Sequence, residues 1–156
     1  MKTWSLEAAQ SEGTKISIRK ILSCDAATAF KAFDDQHIPK WFKEIESARW
    51  ISSEKEKAGA VRQVNLDIMN VREHFMTYDQ GKRFTFHIKE ASLPLLGAMI
   101  EDCQFKDLKD GTSEFIWDIY VEPKILSTIL SPVVKLIYNR MFGKGTDNLV
   151  EYVKGM

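Results

Sequence analysis

The sequence predicts an α+β fold: a curved, seven-stranded antiparallel sheet, two short helices after its first strand, and a long C-terminal helix across one face. Three observations carry this. Apolar and polar residues alternate at period two over about seventy residues in the middle of the chain. Turn-forming residues separate those stretches, and sustained three- and four-residue spacing returns only at the C-terminus.

Thr14 opens the first strand, in which Ile16, Ile18, Lys20 and Leu22 alternate with Lys15, Ser17, Arg19 and Ile21. Asp25 is placed to cap a short helix whose apolar side is Ala29, Phe30 and Phe33. His37-Ile38-Pro39-Lys40-Trp41-Phe42 reads as a second short helix with proline in its first turn. Strands are expected near 46–53, 59–66, 70–79, 82–91, 98–108 and 112–122. Asp79-Gln80-Gly81-Lys82 and Lys109-Asp110-Gly111 are hairpin signals, and 67–70 is a weaker one. Ser131-Pro132 then starts a helix over 132–154, with Val133, Leu136, Ile137, Met141, Leu149, Val150 and Val153 on one stripe and Gly143 and Gly145 as its weak point. Residues 1–13 show no sustained period and are read as an extension ahead of a single domain, 14–156.

Composition narrows the function classes. The 156 residues suit one domain with a real core. With 22 basic and 22 acidic side chains and a pI near 6.8, no charge excess favours nucleic acid or an anionic membrane. Cys24 and Cys103 match neither a metal knuckle nor a disulfide framework and read as reduced thiols of a cytoplasmic protein. The N-terminus lacks the apolar core of a secretory signal. The apolar stretch 125–141 carries Lys135 and Arg140 and is broken by Pro132, so no membrane span is expected.

Hairpin turns fix register, and register decides which side chains share a face. A turn at 67–70 pairs Leu66 with Val71, Val64 with Glu73 and Arg62 with Phe75. A turn at 79–82 pairs Thr77 with Phe84, Phe75 with Phe86 and Glu73 with Ile88. A turn at 109–111 pairs Phe105 with Phe115, Cys103 with Trp117 and Glu101 with Ile119. One face then gathers Val64, Leu66, Phe75, Phe84, Phe86, Ile88, Met99, Cys103, Trp117 and Ile119, apolar and aromatic nearly throughout. The other gathers His74, Arg83, Thr85, His87, Asp102, Gln104 and Asp118 and reads as a solvated surface. The C-terminal helix is the only element long enough to cover the apolar face, and a curved sheet under one helix leaves a cavity.

The run Gly59-Ala60-Val61-Arg62, then Val71-Arg72-Glu73-His74-Phe75 leading to Tyr78-Asp79, then Leu93-Pro94-Leu95, Gly111-Thr112 and Trp117, resembles the polyketide cyclase/dehydrase and lipid-transport family. That family lies within the superfamily of START, pathogenesis-related and birch-pollen-allergen-like domains. The resemblance spans about residues 14 to 154 and implies the helix-grip fold, the same element order as above. It further implies an internal cavity for lipids, steroids, polyketides or hormones, with a minority of enzymes and no shared catalytic motif. It places His37, Trp41 and Phe42 where relatives line the pocket entrance; as plain core, Trp41 and Phe42 would plug the end of the sheet.

Arg62, Glu73 and Glu101 interrupt the apolar face, and a charge there must be paired or reach water. Glu73 is read as diagonal to Arg62, and Glu101 as two strands from Glu73 on the same row. Three roles are open to them: anchoring a ligand's polar head, a structural ion pair at the cavity rim, or proton transfer by a carboxyl of raised pKa. With Phe75, Phe86, Cys103, Trp117, Trp41, Met141 and Phe142 they make up the candidate ligand-binding set. Trp117 reads equally as cavity wall or core, Cys103 has no neighbouring base to activate it, and Met141 and Phe142 precede the glycines where the helix can bend. His74 and His87 are cross-strand partners on the wet face without a third ligand, so they read as a solvated pair, and no metal or cofactor is expected.

The leading expectation is a protein that binds or carries a hydrophobic or amphipathic small molecule. A cyclase- or dehydratase-type enzyme using Glu73 or Glu101 is the second. A co-chaperone-like interaction domain is the third, disfavoured because the outer face offers no large apolar patch.

Overall fold

The structure, a computed structural model, describes residues 4–92, 98–122 and 138–156. Its helices are α1 (Leu6–Glu12), α2 (Ala26–Lys31), α3 (Ile38–Trp41) and α4 (Gly145–Val153), the last preceded by a π-helical segment, Asn139–Lys144. The strands are β1 (Thr14–Leu22), β2 (Ile45–Trp50), β3 (Val61–Leu66), β4 (Asn70–Asp79), β5 (Arg83–Ala91), β6 (Met99–Asp107) and β7 (Ser113–Val121). They form one antiparallel sheet in the order β1-β7-β6-β5-β4-β3-β2, the helix-grip arrangement expected.

Local chemistry sets the boundaries. The Asp25 side chain accepts the Thr28 N–H at 2.7 Å and caps α2, while Asp107 at the end of β6 accepts the Ala26 N–H at 2.7 Å and fixes α2 to the sheet. Pro39 sits in the first turn of α3, where no helical N–H is needed. Gly81 and Gly111 have φ of 77° and 81°, the left-handed conformation that hairpin turns demand and other residues resist.

The β6–β7 register is as expected, with Glu101 opposite Ile119, Cys103 opposite Trp117 and Phe105 opposite Phe115. The β4–β5 register agrees over Glu73–Ile88 and Phe75–Phe86, but irregularities on either side place Thr77 opposite Thr85 rather than Phe84. The β3–β4 register is corrected by two residues. Leu66 N–H closes a tighter turn onto Met69 O, so Val64 faces Val71 and Arg62 faces Glu73 directly. A shift of two preserves faces, so the inner-face assignment survives.

The outer face is not the solvated surface expected. Thr85, His87, Asp102 and Asp118 are buried there together with Ile100 and Tyr120. The cover is the N-terminal segment: Trp4 and Ala9 of the α1 region pack with Ala98, Ile100 and Tyr120 as a second small core. Ser5 caps α1 by accepting the Ala8 N–H. The buried acids beneath are paired. Arg83 grips Asp102 through two bonds of 2.8 and 2.9 Å, and Asp118 takes Ser17 Oγ at 2.6 Å and Lys15 Nζ at 2.9 Å. His74 and His87 do face each other, but His87 is buried, its Nε2 lacks a partner among the described residues, and burial pushes its pKa down to about 4. Among the described residues no third ligand joins them.

The C-terminal helix is expected over 132–154, and its described part is not uniformly α-helical. The π-helical segment contains Gly143 and is capped by Gly145, the two glycines marked as the helix's weak point. Thr146 Oγ1 donates toward the Phe142 and Gly143 carbonyls at 2.8 and 2.9 Å, occupying groups that a regular turn would pair. Gly145 packs against Phe42 so closely that an added Cβ would lie 2.5 Å from Phe42 Cδ2. The Ser131-Pro132 start and the Leu93-Pro94-Leu95 run lie outside the described residues.

Candidate ligand cavity

Space on the inner face is divided. At one end Phe33 meets Trp41, Phe105 and Phe115 with ring centroids 5.0 to 5.4 Å apart, a close-packed aromatic plug. Beyond it, under the β3–β4 turn and the C-terminal helix, the described residues bound a cavity of about 90 Å³. Its walls include Leu66, Val71, Ile88 and Met99 from the sheet, Met69 from the β3–β4 turn, Phe42 and Ile45 at one side, and Tyr138, Met141 and Phe142 from the helix. Aliphatic and methionine side chains outnumber aromatic ones, so the wall is less aromatic than the register analysis implied. Much of the aromatic surface is used instead to fill the core beside it.

Arg62, Glu73 and Glu101 all reach this cavity. Arg62 donates through Nε to Glu73 Oε2 at 2.6 Å and through Nη1 to the Phe33 carbonyl at 2.7 Å, which ties β3 to the chain beyond α2. Its guanidinium carbon lies 5.4 Å from the Phe75 ring centroid and 5.7 Å from that of Trp50. Both members of the ion pair are almost fully buried. Glu101 is not on Glu73's row: Glu73 aligns with Ile88 and Met99, whereas Glu101 aligns with Phe86 and Phe75, one step along the strands. Glu101 Oε2 accepts the Trp117 indole N–H at 2.9 Å. Burial, then the neighbouring Glu73 charge, pushes the Glu101 carboxyl up to about 8, against the smaller opposing effects of Trp117 and Arg62. This acid is therefore neutral at pH 7.

Of the candidate binding residues, Arg62, Glu73, Phe86, Glu101, Cys103, Trp117, Met141 and Phe142 line the cavity. Trp41 and Phe75 do not. Trp41 donates its indole N–H to the Ala32 carbonyl at 2.7 Å inside the aromatic plug, and Phe75 lies behind the wall against Arg62. Burial pushes the Cys103 thiol well up, with Glu101 adding to it, so no thiolate is available at neutral pH. His37 sits away from the cavity, its Nδ1 2.7 Å from the Tyr152 hydroxyl.

The family model described as polyketide cyclase / dehydrase and lipid transport matches residues 3–154. The chain belongs to this family.

Solved structures agree on the fold of this family member. The crystal structure of Ara h 8.0201 superposes with a TM-score of 0.71 at 16% identity, covering 92% of this chain and 99% of that one. A START superfamily protein from Mycobacterium smegmatis gives 0.73 at 13% identity, with the same coverage. Major latex-like protein 151 from Panax ginseng gives 0.68 at 18%, covering 89% and 96%. At such identities the likeness establishes the fold alone. No curated protein sequence matches the chain.

Ile45, Ile68, Met69 and Tyr138 of this family member line the cavity without having been named by the sequence reading, and of these only Tyr138 brings a polar group. Tyr138 is buried against the cavity with its hydroxyl pKa raised, first by burial and then by the Glu101 charge. The available signal was position: Tyr138 precedes Phe142 by four residues, on the stripe that carries Met141.

Proposed function

We propose that the chain binds or carries a hydrophobic or amphipathic small molecule, such as a lipid or polyketide, in the cavity between sheet and C-terminal helix. The observation that carries this reading is a polar cluster, Arg62, Glu73 and Glu101, set into an otherwise apolar enclosure. Desolvating such ions costs several kcal/mol each, and even a well-paired buried ion pair is often no more stabilising than apolar side chains of the same volume, so a purely structural core would be simpler without them. The π-helical segment supports the reading too. It interrupts the regular α-helical pairing of the covering helix at Met141 and Phe142, where a guest larger than about 90 Å³ would need room.

The binding unit is residues 14–156, with residues 1–13 as an extension whose helix packs on the outer face, away from the cavity. Two free cysteines support a cytoplasmic setting. Among the described residues no helix is long and apolar enough to cross a membrane. Native mass spectrometry of protein purified without detergent tests the reading: a discrete added mass released by organic solvent is expected. A single apo mass, together with no uptake from a whole-lipid extract, would overturn it.

One observation favours a second reading as a cyclase- or dehydratase-type enzyme. Glu101 is held as a neutral acid beside an ionised Arg62–Glu73 pair, an arrangement able to give and take a proton. If this is the function, Glu101→Gln and Glu73→Gln each abolish turnover while binding persists. Turnover surviving in both variants would remove this reading.

A further inference from the structure

The polar end of the cavity has a built-in charge balance that constrains the guest. Arg62 gives Nε to Glu73 and Nη1 to the Phe33 carbonyl, both parts of the fold, and its charge is balanced by the Glu73 carboxylate. Glu101 stands beside this pair with the Trp117 indole on Oε2, 5% exposed and facing the cavity. Resting on the carrier reading above, we propose that this cluster selects guests whose polar end is uncharged and both gives and takes hydrogen bonds, an alcohol or phenol. Carboxylate and ammonium amphiphiles of the same body are rejected.

The chemistry follows from what faces Glu101 among the described residues. Arg62 comes from β3, Glu73 from β4, Cys103 from its own strand, Trp117 from β7 and Tyr138 from the C-terminal helix. The Cys103 thiol and Tyr138 phenol are both pushed up and stay neutral, so the cluster holds one cation, one anion and one neutral acid. With the indole donating to Oε2, the acid proton falls on Oε1. A hydroxyl guest meets a donor and an acceptor there without changing any charge. A carboxylate head would place a second anion beside Glu73, leaving two buried carboxylates to share the one Arg62 guanidinium of this cluster. An ammonium head would gain a counter-charge at Glu101 only if that acid first released its proton to solvent, and the new ion pair would be buried against Ile88 and Met99, where desolvation offsets the attraction.

The test compares octan-1-ol, octanoate and octylamine at pH 6.5 by calorimetry and by Trp117 fluorescence. Identical chains cancel the cost of fitting the chain. Octan-1-ol is expected to bind at least about tenfold more tightly than either ion, the equivalent of about 1.4 kcal/mol. In Glu101→Leu that preference falls to about twofold or less, while Glu101→Gln, which keeps a donor and an acceptor, retains it. Octanoate or octylamine binding as tightly as the alcohol overturns the head-group proposal and leaves the carrier reading standing. No binding of any of the three, with no uptake from the whole-lipid extract, overturns both.

Discussion

Replacing Glu101 with Gln isolates the cost of keeping a carboxyl in this cavity. The ordinary value for the group is 4.5, and the fold raises it to about 8. Between those values the folded chain holds a proton that the unfolded chain has released. The contribution of Glu101 to stability is therefore intact below 4.5 and declines as pH rises toward 8. Each pH unit across the window is worth about 1.4 kcal/mol, so roughly 3 kcal/mol is lost by pH 7 and roughly 4 by pH 8, where the folded group is half ionised. Gln fills nearly the same volume, can still accept the Trp117 indole, and does not titrate. Urea unfolding of both proteins at pH 5 and pH 8 gives the comparison. Relative to wild type, Glu101→Gln should gain roughly 3 to 4 kcal/mol between those conditions. A difference that stays constant with pH would refute the assignment of Glu101 as a neutral buried acid.

Three further outcomes follow from the same geometry. Arg62→Met leaves Glu73 buried without its cation and should cost roughly 3 to 5 kcal/mol in chemical denaturation, while Arg62→Met with Glu73→Leu recovers most of it. Gly145→Ala drives a methyl into the Phe42 ring and should lower stability by about 1 to 3 kcal/mol despite alanine's better helix propensity, read from the urea midpoint. His87, with its pKa depressed to about 4, contributes stability above its ordinary 6.5 that is lost as pH falls toward 4. His87→Leu should flatten that acid limb in thermal melts at pH 4 and pH 7, and an unchanged acid limb would mean that the ring is not buried neutral.

The legibility of this fold in its sequence varied with the strength of each local signal. Lys109-Asp110-Gly111 marks a tight turn, and the whole β6–β7 register followed from it, which put Glu101, Cys103 and Trp117 on one face. The β3–β4 turn has no glycine or proline, and its register was two residues out, which hid the direct pairing of Arg62 with Glu73. Faces stayed right because an even slip does not turn a strand over.

The outer face was misread because polar residues in alternation look solvated, whatever packs on them afterward. Its cover is one short helix and a single tryptophan, Trp4, too little sequence to display a period. At the cavity, charged residues on an apolar face were visible as anomalies. Their protonation was not. The rise at Glu101 depends on burial at the centre of the sheet and on Glu73 lying nearby with Arg62 already engaged, and these are three-dimensional facts. Tyr138 was missed because the C-terminal stripe was read for its aliphatic members.

The four tryptophans offer the most direct test of the central claim, that guests enter the cavity beside the polar cluster. Trp117 lines that cavity, Trp4 lies on the opposite face of the sheet, and Trp50 packs against Phe75 behind the wall. In a titration with octan-1-ol followed by the indole N–H resonances, the Trp117 signal should move progressively and saturate, while the Trp4 signal holds still. A saturating shift at Trp4 with Trp117 unmoved would contradict the account.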